Sequence, residues 1–182
     1  ATTALLIALG APRPASAHRF HRGYANAGIH ALSILGLPVS PRAAALGEAM
    51  GAIAQDPSNI WYNAAGMARI PTNAFTINGQ QRFAQTQLVG AAVIFPTELL
   101  AFGIGVRAFN AGTVENRIDG ELIGGNSRAF SYVLEGGGAM SMTDWWRWGG
   151  TLYFAQEVLG DQSQGAVGLN SGMQFEINSR IM

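Results

Sequence analysis

The residues best able to do chemistry are few and far apart. His18, His21 and His30 are the only histidines. His18 and His21 are three apart, a spacing that places two imidazoles on one helix face and invites a metal ion. The sequence around them, HRFHRGYANAG, has no helical periodicity and no carboxylate, and Arg19 and Arg22 add positive charge. A solvated basic arm is expected there, not a metal site. Arg107, Glu135 and Glu157 form a second group. Each falls on the small or polar side of a separate alternating segment. Charges so placed can pair, select a solute or simply meet water. Gly136, Gly137 and Gly138 lack the Lys-Ser/Thr ending of a phosphate loop and read as a bulge or bend. No Ser/His/Asp spacing points to a hydrolase. The chain is expected to be non-enzymatic, with no cofactor.

The elements that must position these charges alternate with a period of two. Leu100, Phe102, Ile104 and Val106 oppose Ala101, Gly103, Gly105 and Arg107. Phe130, Tyr132, Leu134, Met140 and Met142 oppose Ser131, Glu135, Gly137 and Ser141. Trp148, Leu152, Phe154 and Val158 oppose Thr151, Tyr153 and Glu157, and residues 167–177 repeat the theme. Phe75 and Ile77 begin another such segment. Residues 88–95 are apolar on both sides, so that strand is expected to be covered on both faces. About six strands follow residue 71 on this alternation. Pro96, Thr97 and Glu98 mark a tight turn, and residues 112–126 a longer loop.

Composition narrows the setting. Hydrophobic residues make up 48% of the 182 and charged residues only 12%, about half the charged share of ordinary soluble domains. Eleven basic residues balance eleven acidic ones, which removes the electrostatic case for nucleic acid. With no cysteine, disulfides and zinc-thiolate sites are excluded. No run of about 20 apolar residues offers a spanning helix. Bulky apolar residues on one strand face and small or polar ones on the other fit two architectures. In a soluble sandwich the bulky face points into the core; in a membrane barrel it points to lipid. Segments of roughly 9–13 residues suit a tilted span of about 9–11. Trp145, Trp146 and Trp148 suit an interfacial girdle. Residues 4–11, ALLIALGA, followed by Ala15-Ser16-Ala17, look like the end of an export signal, so residues 1–17 are expected to be a partial signal peptide. The barrel is favoured over the sandwich.

One stretch departs from the strand rhythm: residues 42–67, RAAALGEAMGAIAQDPSNIWYNAAGM. Ser40 and Pro41 can open a helix. Ala43, Leu46, Met50 and Ile53 recur at helical spacing, predicting a helix over 42–53 that Asp56-Pro57 stops. The stretch resembles the entry segment of the PorV/PorQ family, which is similar to FadL-type outer-membrane barrels. Arg42-Ala43, Ala45, Gly47, Ala49, Ala54, Asp56, Ser58, Trp61-Tyr62, Asn63, Ala65 and Gly66 carry the resemblance; Ala64 stands where the family has proline.

The resemblance implies an all-β, antiparallel up-and-down transmembrane β-barrel with a short lumenal helix. Residues 18–71 would form an arm, helix and Asn/Gly turn that plug it, and 72–182 the barrel strands. Arg42, Ala45, Gly47, Ala49, Asp56, Asn63 and Gly66 would be the plug and turn positions, with Arg107, Glu135 and Glu157 facing the lumen. Gly103, Gly105 and Gly137 would leave room for the plug, and Trp at Ala45 or Ala49 should disturb it. A closed bacterial barrel needs at least about eight strands, so the chain is expected to be the N-terminal part of one. The implied role lies at the bacterial outer membrane, assisting type IX protein secretion. Its partners would be membrane lipid, secretion-system components or cargo C-terminal signal domains. The alternatives are a FadL-like channel for hydrophobic small molecules and a soluble exported β-sandwich binding module.

Overall fold

A computed structural model describes residues 32–118, 121–160 and 162–177, with 113–127 described by backbone alone. Residues 1–17 and His18, His21 and His30 lie outside the described residues. Six strands follow one another: β1 (Ala74–Gln81), β2 (Gln87–Pro96), β3 (Leu100–Ile118), β4 (Glu121–Ser141), β5 (Trp146–Leu159) and β6 (Gln162–Phe175). Each pairs antiparallel with the next, giving one up-and-down sheet in sequence order. The fold is therefore all-β. The sheet is open, with β1 and β6 as its two edges.

Turn chemistry fixes the register. Between β2 and β3, Thr97 N–H donates to Leu100 O at 2.6 Å, and the Thr97 hydroxyl accepts from Leu100 N–H at 3.1 Å. Between β4 and β5, Met142 N–H donates to Trp146 O at 2.9 Å and Trp146 N–H donates to Thr143 Oγ1 at 3.0 Å. A one-residue slip would turn every bulky side chain to the opposite face, so these closures matter.

Two expectations about the strands are corrected. The loop expected over 112–126 is instead a continuation of the β3–β4 ladder to the pair Ile118 and Glu121. This ribbon runs beyond Asn110, where pairing with β2 ends, and beyond Ala129, where pairing with β5 ends. Its glycines and charges read as breakers in sequence, yet the ribbon absorbs them in register shifts at Asn110/Gly112 and Glu115/Arg117. Gly112 takes φ 75°, and its N–H donates to Asn110 Oδ1 at 2.8 Å. Only glycine adopts that left-handed geometry without strain, which is how the bulge closes. Gly136, Gly137 and Gly138, by contrast, hold regular ladder positions opposite Ile104, Gly103 and Phe102, with no bulge.

The segment before β1 lies against one face of the sheet, here called inner. It contains a 3₁₀ turn (Ser33–Gly36), α1 (Pro41–Ala45), α2 (Asn59–Tyr62) and a 3₁₀ run (Ala64–Arg69). The helix predicted over 42–53 is only the five residues of α1. Gly47 and Glu48 take positive φ of 60° and 68°, and Glu48 N–H donates back to Ala43 O at 2.7 Å. That left-handed turn ends the helix before its second turn. Ala43 and Met50 are buried as the pattern required, whereas Leu46 is exposed.

One core joins the two parts. Ile34, Val39, Ile60, Trp61, Met67 and Ile70 from the N-terminal segment meet Leu88, Ala92, Ile94, Ala101, Val133 and Ala139 from the sheet. Full burial of an Ile, Val or Met side chain contributes about 1.5–3 kcal/mol each, so packing holds the segment at both ends, on either side of the exposed residues 44–49.

Candidate functional site

The two faces of the sheet have opposite chemistry. The ladder places Phe75, Val93, Ile104, Gly136, Leu152 and Leu169 in one row across all six strands on the outer face. The next row is Ile77, Ala91, Val106, Leu134, Phe154 and Val167. Phe75 and Ile77 are each 77% exposed, Leu169 74% and Ile104 64%. Soluble monomers seldom expose a contiguous apolar patch of more than a few hundred Å². No second layer covers Phe102, Ile104, Leu169 or Phe175 among the described residues, and β2, expected to be covered on both faces, leaves Val89 and Phe95 half exposed. Toward the β3–β4 ribbon polar residues join the face: Gln81, Gln87, Asn110 and Ser163 share one row there with Phe130 and Val158. At the other end sit aromatics. Trp145 and Trp146 stack on Phe175 with centroids 6.1 and 6.2 Å apart, and Trp148 Nε1–H donates to Ser171 Oγ at 3.0 Å.

The inner face is small or polar where it meets the N-terminal segment. A Cβ on Gly103 would lie 2.9 Å from Met67 Sδ and 3.1 Å from Ile60 Cδ1, and one on Gly105 would lie 2.9 Å from Trp61 Nε1. A Cβ on Gly149 would lie 2.5 Å from the backbone nitrogen of Ala65. These glycines are the seats of α2 and of the 3₁₀ run that follows it. Gly137 is not such a seat: its space is taken by Thr151 and the Gly150 carbonyl of β5.

Polar side chains of the sheet fasten the segment by its backbone. Gln174 Nε2 donates to Gly51 O at 3.0 Å and to Ile53 O at 3.1 Å. Gln80 Nε2 donates to Pro38 O at 2.9 Å, and Glu157 Oε2 accepts from Leu32 N–H at 2.7 Å. In the other direction Asn63 Nδ2 donates to Gly51 O at 2.8 Å and to Met173 O of β6 at 3.1 Å, while its Oδ1 accepts from Ala65 N–H. The exposed carboxylate of Glu176, just after β6, bridges Arg69 at 2.8 Å and Arg147 at 2.6 Å. The hydrogen bond from Arg147, aided by the charge of Arg69, holds that carboxyl below the ordinary glutamate range. Tyr62 moves the other way: burial raises its phenol above the usual value, although Ser40 N–H donates to its oxygen.

The sequence-predicted positions separate into three places. Asp56 accepts from Ser58 N–H at 2.9 Å and pairs with Arg42 at 2.9 Å, on the outside of the N-terminal segment. Gly66 is buried; a Cβ there would meet the Asn59 side chain. Ala45, Gly47 and Ala49 are exposed, so the crowding expected from Trp at Ala45 or Ala49 is absent. Their small size made them look like close-packing positions, but the early end of α1 turns them away from the sheet. Arg107 and Glu135 stand together on the inner face, 5% and 3% exposed.

Arg107 Nη2 and Glu135 Oε2 are 3.6 Å apart, an ion pair beyond hydrogen-bond reach. Glu135 Oε1 accepts from Thr151 Oγ1 at 2.7 Å and from Asn170 Nδ2 at 3.3 Å. Arg107 Nε, Glu135 Oε2 and Trp61 Nε1 are buried with no partner among the described residues. Beside them is a cavity of about 470 Å³ lined by Trp61, Tyr62, Asn63, Arg107, Tyr153 and Asn170 among others. Sequence reasoning singled out Arg107 and Glu135 but missed Trp61, Tyr62, Thr151 and Asn170 as their surroundings. The available signal was parity: Thr151 and Asn170 share the inner phase of their strands. The described residues contain no group of three or more acidic or histidine side chains that could hold a metal ion. No protein-family model, no curated protein and no solved structure matches the chain.

Proposed function

We propose that this sheet is the lipid-facing wall of an outer-membrane β-barrel whose interior is filled by the N-terminal segment. The single observation that carries the reading is the polarity of the two faces. A water-soluble sheet buries its large apolar side chains; here Phe75, Ile77, Ile104, Leu152 and Leu169 are bare, while charge is buried on the inner side. In hydrocarbon that arrangement is the stable one. Barrel walls bear an apolar band about 25 Å tall with aromatic girdles at its edges, and the outer face runs from the Trp145 end to the Gln87 and Asn110 row in that manner. The extended β3–β4 ribbon then projects from the polar end, which is read as the extracellular side.

The biochemical role follows from the resemblance of residues 42–67 to PorV/PorQ proteins: assisting type IX protein secretion, with secretion-system components or cargo C-terminal signal domains as partners. The packed interior supports an accessory, docking role. Ile60, Trp61 and Met67 seat directly on Gly103 and Gly105, and a core held that way leaves the segment no free path to swing aside. The polar lining of the interior cavity weighs against a conduit for hydrophobic small molecules. The test is affinity purification from outer membranes with mass-spectrometric readout. Co-purification of secretion components or signal-bearing cargo is expected. Recovery from the soluble fraction overturns the membrane reading, and recovery from membranes without those partners overturns the secretion role.

A further inference from the structure

Arg107 is the least satisfied charged group of the described interior. It is 5% exposed, its only ionic partner is 3.6 Å away, and it donates no hydrogen bond among the described residues. A guanidinium carries five N–H donors in a planar fork, and leaving them unused in a buried site is costly. Glu135 does not take them up as placed: Thr151 and Asn170 hold its Oε1, and its Oε2 stays 3.6 Å from Arg107 Nη2, beyond hydrogen-bond reach. Trp61 adds another buried, unpartnered N–H, over Gly105 next to Arg107 on the same strand face. Arg107 and Trp61 both contribute to the lining of a cavity of about 470 Å³, although Arg107 Nε and Trp61 Nε1 are themselves closed off from it.

We propose that this cavity binds the carboxylate of a small, polar organic acid, seated on Arg107. The fork of arginine matches the two oxygens of a carboxylate. Glu135 already offsets the charge of Arg107, so the carboxylate is held by the geometry of the fork and not by net charge, and a monoanion is tolerated better than a doubly charged phosphate. Tyr62 and Tyr153 offer hydroxyl groups and Asn170 its amide oxygen to the remainder of the solute, which favours a hydroxy acid over a long acyl chain. The site is bounded by the N-terminal segment and the inner face, so it stands whether lipid or water covers the outer face.

Calorimetric titration of the purified protein, in whichever of buffer or detergent keeps it dispersed, tests this with lactate, its uncharged counterpart lactamide, and inorganic phosphate. Lactate is expected to bind saturably, and lactamide and phosphate at least about tenfold more weakly. Arg107→Gln is expected to abolish lactate binding. Arg107→Lys keeps the charge opposite Glu135 while losing the fork, and is expected to weaken lactate at least about tenfold with the fold retained by circular dichroism. Equal binding of lactate and lactamide, tighter binding of phosphate, or unchanged affinity in Arg107→Lys overturns the proposal. So does the absence of saturable lactate binding up to about 10 mM. If both variants fail to fold, the comparison of lactate with lactamide on the unaltered protein decides it alone.

Discussion

Placing an arginine on the outer face at two depths of one strand separates lipid from water as the medium. Ile104 and Asn110 both lie in β3, six residues apart on the same face. At about 3.4 Å per residue they are separated by roughly 20 Å along the strand, or about 15 Å along a membrane normal for a strand tilted by 35–45°. Ile104 lies within the apolar rows, 64% exposed, between Val93 and Gly136; Asn110 lies between Gln87 and Phe130, in the last row before the ribbon leaves the sheet. In a bilayer, Ile104→Arg is expected to cost about 2–4 kcal/mol and Asn110→Arg about 0–1. In water both positions are exposed, and each substitution should stay within about 0.5 kcal/mol of the parent. At Ile104 the two media therefore predict costs about four-fold apart or more.

The assay is reversible guanidinium unfolding from lipid vesicles, followed by tryptophan fluorescence and extrapolated to zero denaturant. Leu169→Arg supplies a control, because Leu169 shares the row of Ile104 but sits on β6. Three strands away at that tilt, Leu169 lies roughly 9 Å from the depth of Ile104, and as an apolar-row position it should still cost more than about 0.5 kcal/mol in a bilayer. Equal, small effects at Ile104, Leu169 and Asn110 would refute the reasoning, as would a parent protein that folds fully in buffer without lipid or detergent.

The remaining predictions concern the inner face. Gly149→Ala should destabilise by about 1–3 kcal/mol in equilibrium unfolding, because its Cβ meets backbone atoms of Ala64 and Ala65 that cannot move aside, whereas Gly136→Ala, whose Cβ has no atom nearer than 3.8 Å, should be nearly neutral. Glu176 has a depressed folded-state pKa, so its contribution is present above its unfolded value and is lost as pH falls through the folded one; Glu176→Gln should flatten the pH dependence of unfolding below about pH 4.3. Asp56→Ala should cost about 1 kcal/mol in unfolding by removing the acceptor for Ser58 N–H, and Arg42→Ala less than about 0.5, since that partner is 58% exposed.

How much of this was legible in the sequence depends on whether the governing interaction is local. Strand parity is local: Phe102, Ile104 and Val106 against Gly103, Gly105 and Arg107 fixed both faces of β3 before any pairing was known. The length of β3 was not legible, because Gly112 and the charges after it look like loop chemistry. Pairing with β4, a non-local partner, keeps that stretch in the ladder. The helix over 42–53 failed for the converse reason. Spacing predicted three turns, but a left-handed step at Gly47 and Glu48 cut it to five residues, and such a step leaves no trace in periodicity. The surroundings of Arg107 were hidden because Trp61, Thr151 and Asn170 come from three elements that only the tertiary fold brings together.

The inner glycines show why the N-terminal segment and the sheet must be treated as one folding unit. An open strand interior pays a conformational penalty for each glycine, about 0.5–1 kcal/mol relative to alanine, with nothing in the strand itself to offset it. At Gly103, Gly105 and Gly149 the offset is visible: Met67, Ile60, Trp61 and the Ala64–Ala65 backbone occupy the space a side chain would fill. Removing residues before β1 would therefore leave a sheet with apolar side chains outward and a notched, partly charged surface inward. Arg107 and Glu135 would then meet water freely and stabilise nothing. On the proposed membrane reading, a sheet of this composition is specified by what covers each face, the N-terminal segment on one side and an apolar medium on the other. Loss of either cover should unfold it, which a chain beginning at residue 72 would reveal by failing to form protease-resistant sheet in the same vesicles.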